Sequence, residues 1–254
     1  MKPTVRPGAA PLARPYHARV IPIRDTISSR TVPFVTRLLV VANVAAFLLE
    51  VLQGESLDVF LQTFAFVPQR LFHPGLYGGT FGEAVMTIFT AMFLHGGVMH
   101  LVGNMLFLWI FGDNVEDMLG HMKFLVFYLT AGAGASLLQA FLSPFSTTPN
   151  LGASGAIAGV LGAYLVYYPR ARIVTVVPLF ILFPLVEIPA GLYLLGWFAL
   201  QFWLGSAELT RAGRAAASQG GVAFWAHVGG FVLGVAWALF FRPSRRPGAT
   251  YRIS

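Results

Sequence analysis

Two side chains suited to hydrolytic chemistry sit where such groups are costly: a serine in Gly152-Ala153-Ser154-Gly155 and a histidine in Ala226-His227-Val228-Gly229-Gly230. Each lies a few residues inside a long apolar run. A polar or ionisable group at membrane depth points to a function before any motif is named. A serine hydroxyl becomes an effective nucleophile only when a base takes its proton, and histidine is the usual base. Acyl transfer also needs hydrogen-bond donors aimed at the tetrahedral oxyanion. His100 and Asn104 are i, i+4 neighbours on one face of another apolar run, and with the Ser154 backbone N–H they are candidates for that task. Glu187 and Glu208, the acids nearest to His227 in sequence, are far from it along the chain, so the pattern predicts a Ser-His dyad. Gly152 to Ala156 reads GxSGx and not GxSxG, which does not support an α/β-hydrolase.

Taken singly, each residue has a plainer reading. A serine among glycines in a membrane helix commonly bonds back to its own helix, and a histidine or a His-Asn pair can simply tie helices together. Packing alone does not explain why four polar side chains share one depth.

The elements that must position them follow from composition. Hydrophobic residues make up 56% of the chain and charged residues 11%, with mean hydropathy +0.70; soluble domains run near a quarter charged. This predicts an all-α integral membrane protein. Apolar runs at Val35–Val51, Val98–Phe111, Phe124–Leu142, Leu151–Tyr168, Ile188–Leu204 and Val222–Phe241 predict six spans, the second borrowing from His95–Gly97 or Gly112. The expected organisation is a basic cytoplasmic arm over 1–33, a six-helix membrane domain over 34–241 and a basic cytoplasmic tail over 242–254. Ile173–Val186 is as apolar as the spans but carries Pro178 and Pro184, so it is expected to lie at the interface or re-enter.

With the N-terminus inside, 14 of the 17 Lys and Arg fall on the cytoplasmic side, as the positive-inside rule requires. The net charge of +7 therefore reads as orientation against anionic headgroups. Nucleic acid is not an expected partner, since no recognition motif is present. The first 33 residues lack an apolar core for a cleavable signal, so the first span is expected to act as its own anchor. Zero cysteines exclude disulfides and thiolate chemistry, and no metal or other cofactor is expected.

In this topology Ser154 is expected about one turn, roughly 6 Å by helix rise, below the outer end of the fourth span. His227, His100 and Asn104 lie near the outer ends of theirs, so water can reach all four. Gly155, Gly159 and Gly162 form a stripe beside Ser154, and Gly230 and Gly234 share a face with His227. These stripes allow the close backbone approach that a bond between a short serine and a histidine on another helix needs.

These residues resemble the rhomboid intramembrane serine proteases, through His95-Gly-Gly-Val-Met-His100-Leu-Val-Gly-Asn104-Met, Gly152-Ala-Ser154-Gly155-Ala and Ala226-His227-Val-Gly-Gly230-Phe-Val-Leu-Gly234. The resemblance covers Thr31 to Phe241 and is specific only as a combination. It implies a minimal six-helix bacterial form with a long interfacial first outer loop. Ser154 would be the nucleophile, His227 the general base, and His100 and Asn104 the oxyanion donors. His95, Gly152, Gly155, Gly230, Gly234 and Glu116 would be structural residues near the site, and Glu116 with Gly120 would tie the inner helix ends together. Two departures stand out. The Trp-Arg pair that many relatives carry in the first outer loop reads Met86-Thr87, and the aromatic residue one turn after the serine is Ala158, which leaves the His227 ring without that support.

The first outer loop, 52–97, is too long to be structureless, and Phe60, Phe64, Phe66, Leu71, Phe72 and Tyr77 predict interfacial helices. The segment 206–221 is expected to be a mobile loop capping the site. The resemblance implies single-span transmembrane substrates, cut in or near the outer end of the segment, in the plasma membrane of the cell. The competing readings are a catalytically silent rhomboid-like binder or chaperone, and a channel. A silent relative would typically lack the serine or histidine. A channel would carry polar residues through to the inner face, where the fourth and sixth spans are apolar. HExxH and paired intramembrane aspartates, the marks of other intramembrane proteases, are absent.

Overall fold

A computed structural model describes residues 21–177, 183–212 and 223–241. Long apolar helices dominate it: α1 (Phe34–Leu52), α5 (Val98–Leu119), α6 (His121–Leu142), α7 (Ser154–Tyr167), α8 (Ala190–Ala212) and α9 (Phe224–Phe240), with α2 (Leu57–Phe64), α3 (Pro68–Phe72) and α4 (Phe81–Thr90) between α1 and α5. By length and composition α1, α5 and α6 can each cross a bilayer, whereas α7 and α9 are apolar but shorter. Large apolar side chains stay exposed around the bundle, among them Val41 and Leu52 on α1, Met99 and Trp109 on α5, and Trp203 on α8. The polar ones point inward: Asn43, Glu50, Asn104, Glu116, Gln139, Gln201 and His227 are all buried. This inverted surface is what a bilayer selects, and the chain is a multi-pass membrane protein.

At the centre stands α7, with every residue from Gly155 to Tyr164 buried. It packs on α9 through glycine at both sides of the crossing. A Cβ on Gly230 would overlap the Gly155 carbonyl, one on Gly234 the Gly159 carbonyl, and one on Gly162 the Phe231 carbonyl. The two glycine stripes therefore meet, as their spacing predicted.

The second span is longer than its apolar run because the polar residues that end the run are buried and paired. Glu116 accepts from the Val35 and Thr36 N–H groups at 2.8 and 2.7 Å and from the Thr36 hydroxyl at 2.7 Å. Its carboxylate thus caps α1, whose Pro33 N-cap supplies no side-chain bond. The His121 ring closes on the same carboxylate. Gly120, at φ +77°, is the single residue between α5 and α6, a left-handed turn that favours glycine.

A small sheet at this end was not expected. β1 (Ile21–Asp25), β2 (Arg172–Val176) and β3 (Leu185–Pro189) form an antiparallel sheet in that order. The apolar segment 173–186, expected to lie flat or re-enter, supplies most of β2 and the start of β3; Pro178 lies outside the described residues. Its β-branched run Ile173-Val174-Thr175-Val176-Val177 favours strand, and Pro184 opposes a helix. Asp25 is buried and accepts from the Tyr164 hydroxyl at 2.5 Å and the Asn114 amide at 2.8 Å, pinning β1 under α5 and α7.

At the other end of the bundle, the first loop is built as expected, from α2, α3, α4 and short 3-10 turns. Thr80 and Glu83 form a reciprocal cap on α4, and the Thr80 N–H and hydroxyl hold the Glu83 carboxyl below its ordinary range. With Met86-Thr87 in place of an anchoring Trp-Arg, backbone bonds fix this loop to the segment before α7: Phe66 and Asn150 exchange N–H···O bonds of 3.1 and 2.7 Å. Residues 206–212, expected in a loop, continue α8; the rest of the expected cap, 213–221, lies outside the described residues.

Candidate active site

Ser154 is the first residue of α7, not one turn inside it as the apolar pattern predicted. α7 is short: its 14 residues span only about 21 Å, against roughly 30 Å of bilayer hydrocarbon. As a first-turn residue Ser154 has a backbone N–H without an intrahelical acceptor. The chain reaches it through Gly152, whose N–H donates to the Ala91 carbonyl at 2.8 Å, so the first loop holds the residues that lead into α7.

His227, from the first turn of α9, meets Ser154 across the glycine crossing: its Nε2 lies 2.8 Å from Ser154 Oγ. Its Nδ1 lies 2.8 Å from Gln201 Oε1 on α8. An amide oxygen only accepts, so this contact favours the tautomer with the proton on Nδ1 and a bare Nε2 facing the serine hydroxyl. Trp197, one turn before Gln201, lies along the imidazole with ring centroids 5.7 Å apart and planes tilted by 35°.

His100 and Asn104 reach the same place from α5. Gly152 has φ +124°, and a Cβ there would fall 2.8 Å from His100 Cε1, 2.9 Å from its Nε2 and 3.6 Å from Asn104 Nδ2. Only glycine leaves room for both side chains beside the residue two before Ser154. The Gly96 N–H donates to His100 Nδ1 at 3.4 Å, which leaves the proton of a neutral ring on Nε2, the nitrogen facing Gly152. Asn104 Nδ2 is buried without a hydrogen-bond partner among the described residues, which leaves it a donor for an acceptor entering the site. These groups line a cavity of about 790 Å³ walled by α5 and α8 and floored by α7. A second cavity of about 30 Å³, lined by Ser136, Asn150 and Ser154, is large enough for a water.

A family model described as the rhomboid domain matches residues 82–244. The chain belongs to the rhomboid family. It is similar to mitochondrial Rhomboid protein 1 of Saccharomyces cerevisiae, at 33% identity over 159 residues, 61% of this chain and 41% of that protein. Rhomboid protease GluP of Bacillus subtilis is 46% identical over 78 residues, 31% of this chain and 15% of that protein. RHOMBOID-like protein 4 of Arabidopsis thaliana is 31% identical over 216 residues, 70% and 53% respectively. The chain thus spans about half or less of the length of these relatives.

In this rhomboid the remaining residues named from sequence divide between the two ends of the bundle. His95 is buried, with its ring edge-on to His100 at 5.1 Å and its backbone N–H donated to Glu50 at 3.0 Å, so it supports the α5 side of the cavity. Gly152, Gly155, Gly230 and Gly234 shape the approach of α7 and α9. Glu116 is a correction: it does tie helix ends together, but it sits twelve residues from Asn104 on α5, about 18 Å along the axis, and is not near the site. Sequence reasoning missed Gln201 and Trp197. It looked for an acid beside His227, and an amide in an apolar run did not register. Their i, i+4 spacing, which puts an aromatic face and a lone polar group on one side of a span, was the available signal.

Proposed function

We propose that this rhomboid is an intramembrane serine endopeptidase acting on single-span membrane proteins. The observation that carries the reading is the 2.8 Å approach of His227 Nε2 to Ser154 Oγ, beside an Asn104 Nδ2 with no partner among the described residues. In this reading His227 Nε2 takes the Ser154 proton as Oγ attacks the scissile carbonyl. The resulting oxyanion is held by Asn104 Nδ2, His100 Nε2–H and the Ser154 N–H. His227 then returns the proton to the leaving amine, and a water, activated by the same nitrogen, hydrolyses the acyl ester. A regular helix hides its carbonyls in its own hydrogen bonds, so the substrate segment must unwind where it meets Ser154. Cleavage is therefore expected near one end of that segment.

The same reading takes residues 34–241 as six crossings with both basic arms, 1–33 and 242–254, cytoplasmic. It places the site toward the outer face of the plasma membrane. A silent binding protein has no use for a serine aligned with a base. The test is covalent labelling by a fluorophosphonate: the native protein is labelled, and Ser154→Ala and His227→Ala are not. Labelling that persists in Ser154→Ala moves the nucleophile elsewhere, and native protein that resists the probe while binding membrane proteins supports the silent reading.

A further inference from the structure

We infer that α8 is what makes His227 a base: Gln201 is a positioning residue that fixes the imidazole tautomer, and Trp197 fixes the ring plane. The inference rests on the protease reading. Ser154 and His227 come from α7 and α9, which the glycine crossing locks together. That crossing sets the distance between them and says nothing about which ring nitrogen carries the proton. A neutral imidazole protonated on Nε2 would donate to Ser154 Oγ instead of accepting from it, and no proton could then leave the serine.

On the described residues facing the ring, the group bonded to Nδ1 is Gln201 Oε1, at 2.8 Å. Gln201 is itself 7% exposed and His227 8%, so water competes poorly for that bond. Trp197 grips the same ring one turn earlier on α8. The helix is held close one turn further along the same face too, since a Cβ on Gly205 would lie 3.1 Å from the Trp225 ring. One helix therefore holds the imidazole by its face and by its Nδ1–H. The neutral amide does this without a charge, where a carboxylate would have to be desolvated among apolar spans. When Nε2 takes the serine proton, Nδ1–H stays donated to Gln201, and when Nε2 gives that proton to the leaving amine the starting tautomer is restored. No proton passes to Gln201. It follows that an α8 displaced from the bundle would leave Ser154 and His227 in contact but with the imidazole in the reactive tautomer only part of the time.

The test is nitrogen NMR of ring-labelled histidine in the full-length protein in nanodiscs, with His227 assigned by its loss in His227→Ala. The expected result is a protonated Nδ1 and a bare Nε2 in the native protein, and a mixture in Gln201→Leu. Gln201→Leu is expected to lower kcat by about tenfold, the worth of one net hydrogen bond, with KM unchanged. Gln201→Glu, which keeps an acceptor at the same reach, should restore the Nδ1–H form and raise kcat above that of Gln201→Leu. A native His227 protonated on Nε2 overturns the inference without any variant, as does a Gln201→Leu protein whose tautomer and kcat are both native. The tautomer is read without turnover, so absence of cleavage in the native protein would sink the protease reading while leaving this measurement to decide on its own.

Discussion

At the scale of single residues, the chemistry is a matter of which polar atoms are left without partners inside an apolar bundle. Among the described residues Asn104 Nδ2 is one, and in the proposed reaction its acceptor arrives with the substrate. Asn104→Ala is therefore expected to lower kcat about 100-fold with little change in KM, the loss typical of one oxyanion donor, as steady-state cleavage would measure. Gly152→Ala is expected to be as damaging without removing any donor, because its Cβ, built on a backbone at φ +124°, would lie 2.8 Å from the His100 ring and push it aside. Fluorophosphonate labelling should fall while the protein stays folded. Ser154, His227, His100 and Asn104 were legible in the sequence because hydroxyl, imidazole and amide groups in apolar runs call for a reason. Gln201 was not, because a search for a third catalytic member looks for charge, and here a neutral amide occupies that place.

Among the elements, the controlling feature is the α7–α9 crossing, where backbone meets backbone. Gly230→Ala forces the new methyl into the Gly155 carbonyl. Overpacking of this kind costs about 1–3 kcal/mol, so thermal unfolding in detergent should show a lowered midpoint together with lost labelling. The sheet end offers a different test. Asp25→Ala leaves the Tyr164 hydroxyl and Asn114 amide without the acceptor they share, a loss of about 1–3 kcal/mol per buried orphaned group. Here stability should fall while the Ser154–His227 pair, at the opposite end of α7, still reacts with the probe. Helix positions were legible from apolar runs to within a few residues, except at the end of α8, which continues past Leu204 to Ala212, and where a polar residue continued a helix because it was paired, as with Asn114 and Glu116 on α5. The sheet was not legible: one partner of the 173–176 run, Ile21–Asp25, lies about 150 positions away in the chain, and the other, Leu185–Pro189, follows in the same apolar stretch, which reads locally as one interfacial segment.

For the whole molecule, the arrangement to test is a bundle whose reactive end opens to one side of the membrane and whose basic arms lie on the other. The absence of native cysteine makes this direct. Thr147→Cys, between α6 and α7, should react with a membrane-impermeant maleimide from outside intact cells, and Ile23→Cys on β1 only after permeabilisation; the reverse pattern would invert the proposed orientation. Charge bias is the sequence signal behind the proposed topology, but it says nothing of the depth proposed for the site, which rests on α7 being only 14 residues long. The central claim joins that depth to the Ser154–His227 pair, and its most direct test is cleavage of a reconstituted single-span substrate in proteoliposomes, with the cut site mapped by mass spectrometry. Native protein is predicted to cut in or near one end of the transmembrane segment, with cleavage lost in Ser154→Ala and His227→Ala. Cleavage that survives either substitution, or that falls only in the substrate's soluble domain, would contradict the account.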